Sequence, residues 1–242
     1  MRTLLLAAHG DGDGSESNLW ALELAARTAR LGGFSKAVVG FQKGTPAFSE
    51  VLEEVSDGEV VVVPLMAAAG YYAGTILPRE LEKNANFSAL KVDLREPIGT
   101  LPEFHALAEQ RVRRLLSELD WREELTSVVV VGHGTRRHQQ SRRSTELLSA
   151  SLAEKLNLHR VTPAFLDEDP GPEKAVEECG GVYVLVLPFL MGSGTHATQD
   201  LPRRVKRRSE IRPIHIDQPL GTLPGMEDLI LLRVGKGKSY VG

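Results

Sequence analysis

Cysteine is almost missing from this chain: Cys179 is the only one among 242 residues. A lone thiol excludes an intrachain disulfide and any zinc or iron–sulfur centre built from the chain's own cysteines. Long apolar runs are missing too. None reaches the roughly 18 residues of a membrane span, and Met1-Arg2 leads into an apolar strand pattern without a signal-peptide core. The expectation is a reducing cytoplasm and no membrane partner. An excess of one charge is also lacking: 29 Lys and Arg against 32 Asp and Glu leave −3, too little to recruit nucleic acid through a global field. Several catalytic signatures do not occur. There is no GxSxG elbow, no GxxxxGK[ST] phosphate loop and no HExxH, and Ala8 and Gly132 stand where a histidine phosphatase would place arginine before His-Gly.

What the chain does contain is a long internal repeat. Val61-Val62-Val63-Pro64-Leu65 matches Leu185-Val186-Leu187-Pro188-Phe189, and Leu77-Pro78-Arg79 matches Leu201-Pro202-Arg203, both at an offset of 124 (188 − 64 = 124). Leu6-Ala7-Ala8-His9-Gly10 faces Val130-Val131-Gly132-His133-Gly134, and Phe41 faces Phe165, at the same spacing. Pro97-Ile98-Gly99-Thr100-Leu101-Pro102 answers Pro219-Leu220-Gly221-Thr222-Leu223-Pro224 at 122, so a two-residue indel lies between. A period this long means two domain-sized copies rather than a solenoid. Each copy is large enough to bury its own core.

Within the first copy, strand patterns at 3–8, 37–41, 59–64 and 90–94 alternate with helical spacing at 18–31, 46–55, 76–84 and 104–119. The second copy repeats the order, with strands near 127–132, 161–165, 182–187 and 214–216. This alternation predicts two tandem doubly wound parallel-sheet α/β domains, residues 1–122 and 123–242, related by duplication. Residues 121–126 read as the linker and those after 234 as a frayed tail.

The chemistry gathers where strands end, as open α/β sheets require. In each copy the first strand ends in His-Gly, and in the second copy the third strand leads through Gly192-Ser193-Gly194-Thr195 to His196. His133 and His196 can therefore converge on one pocket, and two imidazoles suit a divalent first-row metal. A carboxylate, Asp167 or Glu168, can orient an imidazole, accept a proton or balance the ion; the same acids before Pro170 also suit a helix start. The first copy keeps His9, but Tyr72 occupies the position matching His196 and Ile76 that matching Asp200, so its site reads as degenerate. Gly192 to Ala197 also fits GxGxxA, a dinucleotide fingerprint, with Asp217 25 residues on; against it, Pro188 to Met191 separate the strand from the first glycine.

These residues carry a resemblance. The strand-His-Gly start, the phenylalanine strand leading to an acidic loop, and the PFL…GTH…DLP stretch look like the CbiX-type class II chelatases, the sirohydrochlorin cobalt- and ferrochelatases, in their long duplicated form. The resemblance implies a chelatase-like fold and a lyase that inserts Co²⁺ or Fe²⁺ into a sirohydrochlorin-type tetrapyrrole, with no permanently bound cofactor. The same donors would accept Ni²⁺. It implies His133 and His196 as catalytic and metal-binding residues assisted by Asp167 or Glu168. Substrate carboxylates would meet Arg136 and Arg137 among a wider set, Arg142, Arg143, Arg203, Arg204, Arg207 and Arg208, with Ser193, Gly194 and Thr195 beside the ring. In the long forms the amino-terminal copy is expected to hold the site, and Tyr72 departs from that pattern. The alternative is a non-catalytic carrier of metal or tetrapyrrole on the same fold.

Overall fold

The computed structural model describes residues 2–12, 18–55, 58–83, 90–135, 139–206 and 212–235. The first copy runs β1 (Arg2–Ala8), α1 (Leu19–Gly32), β2 (Lys36–Phe41), α2 (Phe48–Glu53), β3 (Gly58–Pro64), α3 (Leu77–Lys83), β4 (Leu90–Leu94) and α4 (Pro102–Glu118). The second runs β5 (Thr126–Gly132), α5 (Gln139–Lys155), β6 (Arg160–Phe165), α6 (Pro172–Glu178), β7 (Tyr183–Pro188), α7 (Leu201–Lys206), β8 (Ile214–Ile216) and α8 (Met226–Arg233). Among the described residues no helix is long and apolar enough to cross a membrane.

The apolar blocks at 4–8, 60–63, 128–131 and 184–187 are almost wholly excluded from solvent, as central strands covered on both faces must be. They organise two parallel sheets of the same order, β2-β1-β3-β4 and β6-β5-β7-β8. The repeat holds at the level of register. Leu4 pairs with Val61 and Val128 with Leu185, each partner shifted by 124, whereas Val60–Val92 becomes Val184–Ile214, where the last strand has shifted by 122. In each sheet the chain leaves the central strand to one side and then crosses to the other. That reversal opens a crevice at the carboxyl ends of β1 and β3, and of β5 and β7.

The compact units do not divide at 122 and 123. One comprises the chain up to Leu101 and again from Pro224, the other Pro102–Leu223. The cause is the last helix of each copy. In the first unit α8 covers α1: Arg27 lies 3.7 Å from Glu227, and Arg233 donates to Pro97 O at 2.9 Å and Thr100 Oγ1 at 2.7 Å. In the second unit α4 buries Phe104 against Phe189, ring centres 5.5 Å apart, and Arg111 makes a two-point pair with Asp217 at 2.7 and 2.9 Å. The expected linker 121–126 also belongs to the second unit. Trp121 stacks on Tyr183 at 4.8 Å, residues Glu123–Leu125 form a 3₁₀ turn, and Thr126 opens β5.

Candidate metal and proton-transfer site

His133 follows the last residue of β5, and its neighbour Gly134 turns the chain with φ +70°. A Cβ at Gly134 would sit 2.8 Å from Phe165 Cβ and 2.9 Å from Glu168 Cγ, so both conformation and space require glycine. The tight turn lets the loop after β6 lie across the strand end, where Leu166 and Asp167 donate their backbone N–H to His133 O, both at 3.0 Å. This seats Asp167 Oδ2 3.3 Å from His133 Nδ1, with Gly134 O a second acceptor at 3.1 Å.

His196 comes from the far side of the crevice. Beyond β7, residues His196–Asp200 form a π-helical turn closed by Leu201 N–H onto His196 O. Gly194 O accepts from Ala197 N at 2.9 Å and Thr198 N at 3.1 Å, which starts the turn. Ala197 and Leu201 are buried and anchor it, leaving His196 exposed. Such widened turns recur at functional sites. Asp200 Oδ2 lies 2.9 Å from His196 Nδ1. The rings of His133 and His196 meet edge to face, centres 5.3 Å apart and planes at 85°.

The two neighbouring acids part company. Asp167 is half exposed beside His133, whereas Glu168 accepts from Thr135 N at 3.1 Å and from Arg142 Nε and Nη2 at 3.2 and 3.0 Å. Arg142 is itself stacked 4.3 Å from the Phe165 ring centre and reaches the Asp169 carbonyl. Neither acid starts a helix; α6 begins at Pro172 with Gly171 as its cap. Arg204 is likewise occupied, by both oxygens of Glu173 and by Leu166 O. Arg143 and Arg203 are exposed and form no ion pair among the described residues. Arg136, Arg137, Arg207 and Arg208 lie outside the described residues. Ser193 is partly buried, and Thr195 precedes the π turn and is exposed.

Among the described residues no three His, Cys, Asp or Glu side chains are grouped to enclose an ion. What the site offers is two imidazoles, each with Nδ1 on an oxygen acceptor. A neutral ring so held carries its proton on Nδ1 and its lone pair on Nε2, the arrangement in which imidazole ligates metals or accepts protons. The sequence comparison sets Asp200 against Ile76 but gives it no role at the site. The signal that could have found it is the His-x-x-x-Asp spacing, which puts both side chains on one side of a helical turn.

The first unit repeats the frame with other side chains. Gly10 has φ +75°, Lys43 N donates to His9 O at 2.7 Å, and His9 Nδ1 lies 3.0 Å from Gly10 O. Lys43 stands where Asp167 stands in the other copy, so the acceptor becomes a cation. The π turn Tyr72–Ile76 recurs, but Tyr72 packs against the core that includes Leu5, Phe48 and Leu77. Burial, with Glu80 adding to it, pushes the Tyr72 hydroxyl up to about 12, so it stays protonated near neutrality.

Comparisons with known proteins bear on the family and the fold. The CbiX family model matches residues 3–115 and again 127–236. A probable sirohydrochlorin cobaltochelatase of Halobacterium salinarum is 26% identical over 222 residues, 84% of this chain and 76% of that protein. Among solved structures, SirB from Bacillus subtilis with Fe³⁺ superposes with a TM-score of 0.80 at 17% identity, covering 97% of this chain and 94% of that one. A multi-domain protein of Deinococcus radiodurans with structural similarity to chelatases gives a TM-score of 0.77 at 21% identity over 99% of this chain, which spans 56% of that protein's length.

Proposed function

Because the chain belongs to the CbiX family, matched once in each copy, we propose that it is a sirohydrochlorin chelatase that inserts Co²⁺ or Fe²⁺ into a sirohydrochlorin-type tetrapyrrole at His133 and His196. The observation that carries this reading is the pair of imidazoles 5.3 Å apart, each with Nδ1 against a carboxylate. The Halobacterium salinarum relative is a probable sirohydrochlorin cobaltochelatase, and SirB from Bacillus subtilis was solved with Fe³⁺, which supports a cobalt or iron substrate here.

The geometry supports a simple division of labour. Insertion replaces two N–H protons of the ring with one M²⁺, so the site must hold an ion loosely and then take up protons. Two neutral imidazoles can hold the ion through Nε2 while leaving its other positions to water or ring nitrogens. Once the ion has passed to the ring, the same lone pairs accept the released protons. Asp167 Oδ2, 3.3 Å from His133 Nδ1, orients that ring. Glu168, fixed by Arg142 and Thr135 N, holds the loop that presents Asp167. Arg143 and Arg203 are the described cations open to substrate carboxylates.

Anaerobic incubation with sirohydrochlorin and excess Co²⁺ or Fe²⁺, followed by absorption, tests the proposal. Catalytic conversion to the metallated chromophore, many turnovers per protein, is the expected result. One-to-one binding of ion or ring without turnover would assign the protein as a carrier instead.

A further inference from the structure

The fold does not need Asp200. In the first unit Ile76 occupies the matching position, yet the turn Tyr72–Ile76 forms with the same closure, Leu77 N–H onto Tyr72 O. Gly74 N donates to Gly70 O at 2.9 Å as Thr198 N donates to Gly194 O at 3.1 Å, and Leu77 and Leu201 are both fully buried. Nor does stability explain the acid. His196 and Asp200 side chains are 53% and 37% exposed, and pairs in that setting are worth little in water. The two copies keep or lose the pair together: imidazole with carboxylate in one, tyrosine with isoleucine in the other.

We infer that Asp200 is a positioning residue that acts through His196, holding its ring with the proton on Nδ1 and the lone pair on Nε2. A carboxylate only accepts, so a contact of 2.9 Å to Nδ1 selects that tautomer and fixes the ring's rotation. Asp167 and Gly134 O do the same for His133, so that both rings carry the lone pair on Nε2. The consequence for metal binding rests on the proposed function; the tautomer does not.

The test uses the full chain, wild type and the variants Asp200→Ile and Asp200→Asn. Isoleucine is the residue the twin turn already tolerates, so melting temperature and far-ultraviolet dichroism are expected to stay near wild type. Long-range proton–nitrogen NMR should show His196 protonated on Nδ1 in the wild type and shifted toward Nε2 in Asp200→Ile. Co²⁺ titration without tetrapyrrole should show affinity lower by about 10- to 100-fold. Asp200→Asn should do no better, because an amide N–H can donate to Nδ1 and favour the opposite tautomer, as in other acid–histidine pairs. A wild-type tautomer and Co²⁺ affinity in Asp200→Asn would overturn the inference, and so would unfolding of Asp200→Ile, which would make the residue structural. A wild type that fails to metallate sirohydrochlorin, with the tautomer shift intact, would sink the proposed function and uphold the role of Asp200.

Discussion

At His133 two backbone donors, one glycine and one carboxylate decide the ring's position, and each can be changed separately. Asp167 Oδ2 is the carboxylate acceptor beside His133 Nδ1, and replacing it weakens the hold on the ring. Asp167→Asn should therefore lower the insertion rate by about 10-fold with folding unchanged, as a rate measurement and a melting curve would show. An unchanged rate would take Asp167 out of the site. Glu168→Gln should act differently: it loses a charge-assisted contact to Arg142 that is mostly shielded from solvent, at a loss of about 1–3 kcal/mol in stability, while the insertion rate of the folded protein stays near wild type. From sequence, Asp167 and Glu168 could not be told apart, because adjacent residues in a loop point to different partners and only the partners distinguish them. Thr135 and Arg142 are those partners. Asp200 was legible as a spacing, but the pair is completed in a π turn whose widening leaves no mark in the hydrophobic pattern.

Among the elements, the strands were the most legible. Buried parallel strands write themselves as unbroken Val and Leu runs, and 90–94 and 214–216 fall where they were expected. Helix ends were less so: 46–55 narrows to Phe48–Glu53, because Ala47 is extended and its N takes Glu50 Oε2 at 2.8 Å as its acceptor. Leu201, fully buried at the junction of the π turn and α7, anchors the histidine loop. Leu201→Ala should destabilise the second unit by about 2–5 kcal/mol and lower activity with it, read as a drop in melting temperature. A stable but inactive variant would mean that the turn shifted without loss of packing. On α4, burial and then Lys155 push the pKa of His105 below the ordinary histidine value of about 6.5. The unfolded chain then binds this proton more readily than the folded one. Stability from this group is full above about 6.5 and is lost as pH falls toward the depressed folded value. His105→Gln should flatten the fall in melting temperature between about pH 7 and 5; an unchanged slope would contradict the assignment.

At the scale of the whole molecule the duplication was plain from residues alone, and so was the alternation of strands and helices along the chain. Which sheet each final helix covers was not, since an amphipathic helix states that it has a buried face but not against what. Phe104 and Arg111 follow the first four strands in sequence, yet they complete the second unit. A fragment 102–223 should therefore fold and bind Co²⁺, whereas 123–242 lacks Arg111 and leaves Asp217, 2% exposed in its side chain, as a buried charge without its partner. Breaking such a pair is worth about 3–5 kcal/mol, enough to unfold a small domain. Thermal melts of the two fragments decide it, and equal stability would contradict the helix assignment. The central claim is that one copy, the second, carries the chemistry. It is tested most directly by anaerobic metal-insertion rates for His133→Ala, His196→Ala and His9→Ala, each with a melting curve as control. Loss of activity in the first two and a modest decrease in the third is the expected result; equal losses at His9 and His196 would contradict it.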